Sequence, residues 1–352
     1  MIFKDLKAPY IIAEIGCNHN GNTELGLKMI RAAKDCGADA VKFQYFTKDN
    51  LFTKNYMSDL DKGHVVIENI DKWETKELDL QGVSEQIDEF INDKEQLIIF
   101  QKYSKKIDID FGCTPVDSEG VMFLKEIGSD FIKLASMDVD NLEMINSAIN
   151  TDLPIIISTG MADLQEIDAV YNLFKGRGFD NFSLLHAVSI YPPRDEIVNL
   201  NFIDTLNYLY DCEIGYSDHT LGFEVPLAAI GKGVKIIEKH FTLDKEMFGW
   251  DHKVSADEQD LRIICKGGKK VYRTLGEKYK ILSPEELKKR EKFRRSATLC
   301  KTLEKGHVLT RSDFVFKRPG TGITPGEIEF ILGRKLKKIT EQDKTLMLSD
   351  FE

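Results

Sequence analysis

Residues 109–136 read IDFGCTPVDSEGVMFLKEIGSDFIKLAS, and the fold follows from the way this stretch changes period. IDFGCTP (109–115) is a short β-prone run. Ser118–Ile127 then carries the three-to-four-residue period of a helix, and FIKLAS (131–136) returns to strand character. Nearly apolar strands separated by helices argue for a parallel sheet covered on its outer face.

Outward from this unit the alternation continues. YIIAEIG (10–16) and AVKFQY (40–45) precede it; PIIIST (154–159), FSLLHA (182–187), EIGYSD (213–218) and KIIEKHFT (235–242) follow. Helical spacing fills Glu24–Cys36, Asp163–Phe174 and a longer piece across Gly82–Lys105. Eight βα units in about 270 residues fit a (β/α)8 TIM barrel, the α/β class. The doubly wound alternative lacks a G-x-G-x-x-G after the first strand. Residues 46–82 form an insertion too long for a plain βα connection, which suits a lid, a binding loop or a structural excursion. These features place a barrel domain at 1–275 and a polar linker or surface helix at 276–293. A small β-rich domain follows at 294–352, where turn glycines and KRPGTGITPGE appear.

Bulk composition narrows the partners. With 48 Lys and Arg against 58 Asp and Glu, the net charge of −10 excludes nucleic acid and anionic membrane as general partners. No apolar run approaches the roughly 18–20 residues of a membrane span. The N-terminus is charged where a signal peptide would be apolar, and the six cysteines show no CxxC, so a cytoplasmic protein with reduced thiols is expected.

In a barrel the chemistry gathers where strands end, and polar residues collect there: Glu14, Lys42 and Gln44, Thr114, Lys133, Ser136 and Asp138, Ser158, Tyr191, Ser217, His219, Glu238 and His240. Lys42 and Lys133 lie inside apolar runs. A lysine there needs an anion, either a structural carboxylate or a bound phosphate or carboxylate to which Ser136, Ser158 and Ser217 could also donate. His219 and His240 end neighbouring strands and suit a divalent metal, unless one is a core histidine bonded to a carbonyl. Asp251 and His252 could each add a ligand or orient a metal-bound water, and His19 could join the site or merely bond the first turn. His64 and His307 read as ordinary. Glu14 is either a salt-bridge partner of Lys42 or Lys133, or a general acid/base.

Read in order, IAEIGCNHNG, VKFQ, TP, IKLAS, STGM, LLHAVSIYP, GYSDHT, EKHFT, WDHKVSA and KRPGTGI resemble the N-acetylneuraminate (sialic acid) synthase family, which includes legionaminate, pseudaminate and spore-coat polysaccharide synthases. The resemblance covers essentially the whole chain. It implies a TIM barrel followed by an antifreeze-like (SAF) β-clip domain, in a homodimer whose SAF domains each cover the partner's site. It also implies condensation of phosphoenolpyruvate with an N-acyl amino sugar to a 2-keto-3-deoxy nine-carbon acid and phosphate. By the same resemblance Lys42, Lys133, Ser136, Ser158 and Ser217 match phosphoenolpyruvate-binding positions. His219 and His240 match ligands of a divalent metal, Mn²⁺ foremost with Mg²⁺ or Co²⁺ as alternatives. Asp251 matches a carboxylate near the metal-bound water, and Glu14 an acidic group beside the reacting carbons. Gln44, Thr114 and Tyr191 match the site lining, and Arg318 an arginine that reaches the sugar across the dimer.

Three positions depart from the family pattern. Asp138 stands where glutamate is common, Ser189 where asparagine is common, and the 46–82 insertion leaves only Asn69 to match a loop asparagine. The departures point to a sugar other than N-acetylmannosamine, such as a 2,4-diacetamido-trideoxyhexose. Competing expectations are a 3-deoxy-aldulosonate synthase acting on a sugar phosphate, a metal-dependent aldolase using pyruvate, and a non-enzymatic SAF binding protein.

Overall fold

The computed structural model describes residues 3–55, 57, 66–69, 74–77 and 90–352. About half of the 46–82 insertion, His64 and the first part of the helix expected over Gly82–Lys105 lie outside them. Asn69 ends a strand, Val66–Asn69, that pairs antiparallel with Glu74–Glu77. Among the described residues no helix is long and apolar enough to cross a membrane.

Eight parallel strands close into a barrel: β1 (Tyr10–Gly16), β2 (Ala40–Tyr45), β3 (Asp110–Pro115), β4 (Phe131–Leu134), β5 (Ile155–Ser158), β6 (Phe182–Ala187), β7 (Glu213–Asp218) and β8 (Ile236–His240). The helices that follow them are α1 (Thr23–Cys36), α2 (Lys94–Lys106), α3 (Ser118–Ile127), α4 (Leu142–Ile149), α5 (Leu164–Gly176), α6 (Phe202–Leu209), α7 (Glu224–Gly231) and α8 (Glu258–Leu275). Local chemistry sets their ends. Asp93 caps α2 by accepting from Gln96 N, which places the helix start later than the apolar spacing suggests. Gly37 and Gly128 take the left-handed turn after α1 and α3.

Period-two alternation sorts the side chains of each strand. Those facing out meet the helices in the main apolar core. Those facing in form a smaller cluster that includes Ile12, Ala40, Phe131, Ile156, Leu185 and Ile236, the apolar plug of the barrel. A Cβ on Gly112 would stand 2.1 Å from the Phe131 ring, so only glycine at that point of β3 lets the plug close. Two residues further along the same strands come Glu14, Lys42, Lys133, Ser158 and Glu238. The apolar plug is thus the floor under a polar layer at the C-terminal strand ends.

The backbone divides into two units, Met1–Gly276 and Glu277–Glu352. The second holds α9 (Pro284–Phe293), capped by Ser283, within the segment expected as linker or surface helix. It also holds β9 (Ser296–Leu299) paired antiparallel with β10 (Phe314–Lys317). Its own core includes Ala297, Leu299, Leu309, Phe314, Ile331 and Leu336.

Candidate active site

Sheet register brings the polar layer together. Glu14 pairs in the ladder with Lys42 on one side and His240 on the other, and Glu238 pairs with Ser217. The Lys42 ammonium lies 2.8 Å from Glu14 Oε2 and donates to Thr114 Oγ1 at 2.8 Å, while Gln44 donates to Glu14 Oε1 at 3.0 Å. Gly16, with a left-handed φ of 53°, leaves room for this contact: a Cβ there would lie 3.2 Å from Glu14 Oε1.

Across the barrel Lys133 donates to Leu134 O and stands 3.9 Å from Glu238, which accepts from Ser217 Oγ at 3.1 Å. Two buried lysines and two buried glutamates therefore share one enclosed layer. Burial pushes Glu14 up to about 7, against the pull of Lys42, and pulls Lys133 down to about 8, against Glu238. Burial acts against the Glu238 anion too, but Lys133 and Lys42 hold its pKa below the ordinary range. Lys42 keeps its proton because Glu14 and Glu238 outweigh its desolvation.

Several donors in this layer have capacity to spare. An ammonium has three N–H groups, and among the described contacts Lys42 uses two and Lys133 one. Ser158 Oγ is buried without a hydrogen-bond partner. Ser136 Oγ accepts from Gly160 N at 3.1 Å, which leaves its own O–H to donate. Such groups remain stable in a buried site when an anion completes them.

The histidines form the adjoining wall. His219 and His240 have ring centroids 5.7 Å apart, and Tyr191 lies over the pair, 4.0 Å from His219 and 5.8 Å from His240. Burial lowers His219 to about 4 and His240 to about 3, so both are neutral at pH 7. The His219 Nδ1–H donates to Val188 O at 2.7 Å, which leaves Nε2 with its lone pair. His240 Nδ1 is buried without a hydrogen-bond partner and faces Asp251 Oδ2 across 3.6 Å. Two neutral imidazoles, an orphaned ring nitrogen and a nearby carboxylate are donors of a type that fits a divalent metal. Among the described residues no group of three or more His, Cys, Asp or Glu is placed to hold a metal ion by itself.

On the third side Asp138 is buried with Oδ2 unpartnered, and burial raises its pKa. Ser189 belongs to the same wall: a Cβ on Gly160 would lie 2.3 Å from its Oγ and 2.8 Å from that of Ser136. Arg318 lies in the second unit, its Nε donating to Phe293 O and its guanidinium 4.9 Å over the Phe293 ring.

Two options left open by spacing are now decided. His252 does not face the histidine pair; its nitrogens meet Thr242 Oγ1 at 2.7 Å and Asn20 Oδ1 at 3.3 Å. His19 is packed against Phe43 and Phe100 in the outer core. Glu238 is the residue whose part the sequence reading undervalued. The signal was present in IIEKH, where Glu238 is two residues before His240 and so shares its face. Open grooves of about 520 and 720 Å³ on the outer helices, one lined by Arg31 and Tyr103 and both by Arg262, contain none of these residues.

A (β/α)8 barrel with neutral histidines, paired lysines and spare hydroxyl donors at its mouth has the arrangement of a barrel enzyme's active site. Comparison with known proteins narrows the class. The NeuB family profile matches residues 29–280 and the SAF domain profile residues 294–352, and the chain belongs to the NeuB family. It is 36% identical over 347 residues to the N,N'-diacetyllegionaminic acid synthase of Legionella pneumophila, covering 97% of this chain and 94% of that one. The Campylobacter jejuni enzyme of the same name is 34% identical, with 97% and 99% covered. The N-acetylneuraminic acid (sialic acid) synthetase of Leptospira borgpetersenii, solved with citrate, superposes with a TM-score of 0.70 at 32% identity, covering 80% and 90% of the two chains.

Proposed function

We propose that this protein condenses phosphoenolpyruvate with the open-chain aldehyde of an N-acylated amino sugar, releasing phosphate and a 2-keto-3-deoxy nine-carbon acid. The observation that carries the reading is the buried layer of Lys42, Lys133, Ser136 and Ser158, with unspent donors beside two neutral histidines. Phosphoenolpyruvate offers a carboxylate and a phosphate on one small frame, which matches two cations separated across a barrel mouth.

In the proposed reaction C3 of phosphoenolpyruvate bonds to the aldehyde carbon and C2 becomes an oxocarbenium centre. Water adds at C2, and phosphate departs with the bridging oxygen as that C–O bond breaks. His219 and His240, with Asp251 alongside, would hold a divalent metal such as Mn²⁺, Mg²⁺ or Co²⁺, which supplies Lewis-acid polarisation of the aldehyde. Lys42 and Lys133 bind and orient the anion. Glu14, with its pKa near neutrality, can accept or return a proton beside the reacting carbons. Tyr191 roofs the histidines and limits water.

The altered wall suggests the acceptor. Asp138 and Ser189 are each shorter than the side chain common in the family, so they leave room for a second acylamino group, as on a 2,4-diacetamido-trideoxyhexose. Exposed Met137, Leu142, Met161, Leu221, Phe248 and Trp250 follow the ends of β4, β5, β7 and β8. Such a rim suits coverage by another surface, in our reading the SAF domain of a second copy. All six cysteines are free thiols, which fits a cytoplasmic enzyme.

The test is phosphate release from phosphoenolpyruvate with Mn²⁺ across N-acetylmannosamine, its 6-phosphate, 2,4-diacetamido-trideoxyhexoses and arabinose 5-phosphate. We expect the diacetamido sugars to be turned over fastest. Preference for N-acetylmannosamine would reject the acceptor assignment, and preference for arabinose 5-phosphate would favour the sugar-phosphate synthases instead.

A further inference from the structure

The loop between β8 and α8 carries Asp251, and its hold on that residue comes from the other side of the barrel seam. The turn after β1 is built by Asn18 N bonding Ile15 O and Asn20 N bonding Cys17 O. From this turn the buried Asn18 amide donates to Phe241 O at 3.0 Å and to Ser255 Oγ at 2.9 Å. Ser255 Oγ in turn donates to the backbone carbonyl of Asp251 at 2.6 Å. A relay of two side chains thus runs from the first βα turn to the backbone of Asp251.

A second bridge lies beside it. Asn20 Nδ2 donates to Phe248 O at 2.8 Å, and this orients Oδ1 toward His252 Nε2 at 3.3 Å. His252 Nδ1 meets Thr242 Oγ1 at 2.7 Å. Thr242 Oγ1 also donates to Asp244 O at 3.0 Å and accepts from Asp244 N at 3.2 Å, so the threonine ties the histidine to the loop backbone. Gly249 crosses this bridge with φ of 153°, and a Cβ there would stand 2.6 Å from His252 Cδ2. The loop is consequently threaded around a buried histidine, anchored at 241, 242, 248 and 251.

We infer that Asn18, Asn20, His252 and Ser255 are positioning residues that clamp this loop to the β1–α1 turn and fix the Asp251 carboxylate opposite His240. The inference rests on the reading of His240 and Asp251 as parts of a metal-assisted site. Hydrogen bonds that orient the groups around a metal typically control its affinity about 10–100-fold. The clamp therefore acts on metal binding, and through it on turnover, with no contact to substrate.

The test uses the full-length protein and Co²⁺ alone, with binding followed by visible absorption, for wild type, Ser255→Ala, Asp251→Ala and the double variant. Thermal melting and kcat and KM for phosphate release accompany each titration. We expect Ser255→Ala to weaken Co²⁺ binding roughly tenfold. The double variant should be no weaker than Asp251→Ala, because the serine acts only through the aspartate. Asn18→Ala should reproduce Ser255→Ala, which guards against a variant-specific folding defect. Lower melting temperatures with unchanged Co²⁺ affinity, or additive losses in the double variant, overturn the inference and leave the network a loop stabiliser. A wild type that binds no Co²⁺ overturns both this inference and the metal reading. One that binds Co²⁺ with the expected coupling but turns over no sugar rejects only the proposed reaction.

Discussion

In the proposed reaction Lys133 is the residue on which anion binding and acidity meet. Its pKa is lowered to about 8 because burial outweighs the attraction of Glu238. Only the protonated form attracts phosphoenolpyruvate, and the lysine loses that proton as pH rises through its pKa. The value of kcat/KM for phosphoenolpyruvate, which reports the free enzyme, should therefore fall above about pH 8. Lys133→Met should raise the KM by tenfold or more, since one charge-assisted hydrogen bond contributes about 1.5–3 kcal/mol. An unchanged KM across both tests would reduce Lys133 to a structural partner of Glu238. The sequence marked Lys42 and Lys133 as anomalous because apolar strands rarely carry lysine. It left their partners open because spacing names a face and a height, not the atom opposite. Glu14 proved to be the partner of Lys42 and Glu238 that of Lys133, with capacity left for a ligand.

At the scale of elements, β7 and β8 carry different chemistry on their two faces. Ser217 and Glu238 meet in the barrel interior, while Asp218 and Lys239, their neighbours, form an ion pair of 2.6 Å on the outer face. Lys239 also bonds Thr220 O, and Asp218 accepts from Thr220 N and Oγ1. The pair locks the register of the strands that end in the two histidines. Lys239→Met strands a buried carboxylate and should cost about 3–5 kcal/mol in chemical denaturation. A loss under about 1 kcal/mol would mean that Thr220 alone satisfies Asp218. Alternation made the strands legible in the sequence, and α1 and α3 end at glycines, Gly37 and Gly128, that it also shows. The start of α2 was not legible, because Asp93 caps it within a polar stretch that continues the helical spacing. His252 also resisted reading, since a histidine next to Asp251 looks the same in sequence whether it faces the candidate site or a threonine.

For the whole molecule, each unit has its own core, so each should fold without the other. A chain ending at Gly276 should keep a cooperative melting transition. It should nevertheless lose turnover, because the proposed reaction draws on the SAF domain of a second copy. Full activity in that truncation would remove the C-terminal unit, and Arg318 with it, from the chemistry. The central claim concerns the bond that breaks, and oxygen labelling reads it directly. Phosphoenolpyruvate carrying ¹⁸O at the bridging position would be incubated with the preferred sugar and Mn²⁺, and both products analysed by mass spectrometry. The account predicts sugar-dependent release of phosphate that carries the label, with an unlabelled nine-carbon keto acid. Label retained in the keto acid, or labelled phosphate released at the same rate without sugar, would contradict it.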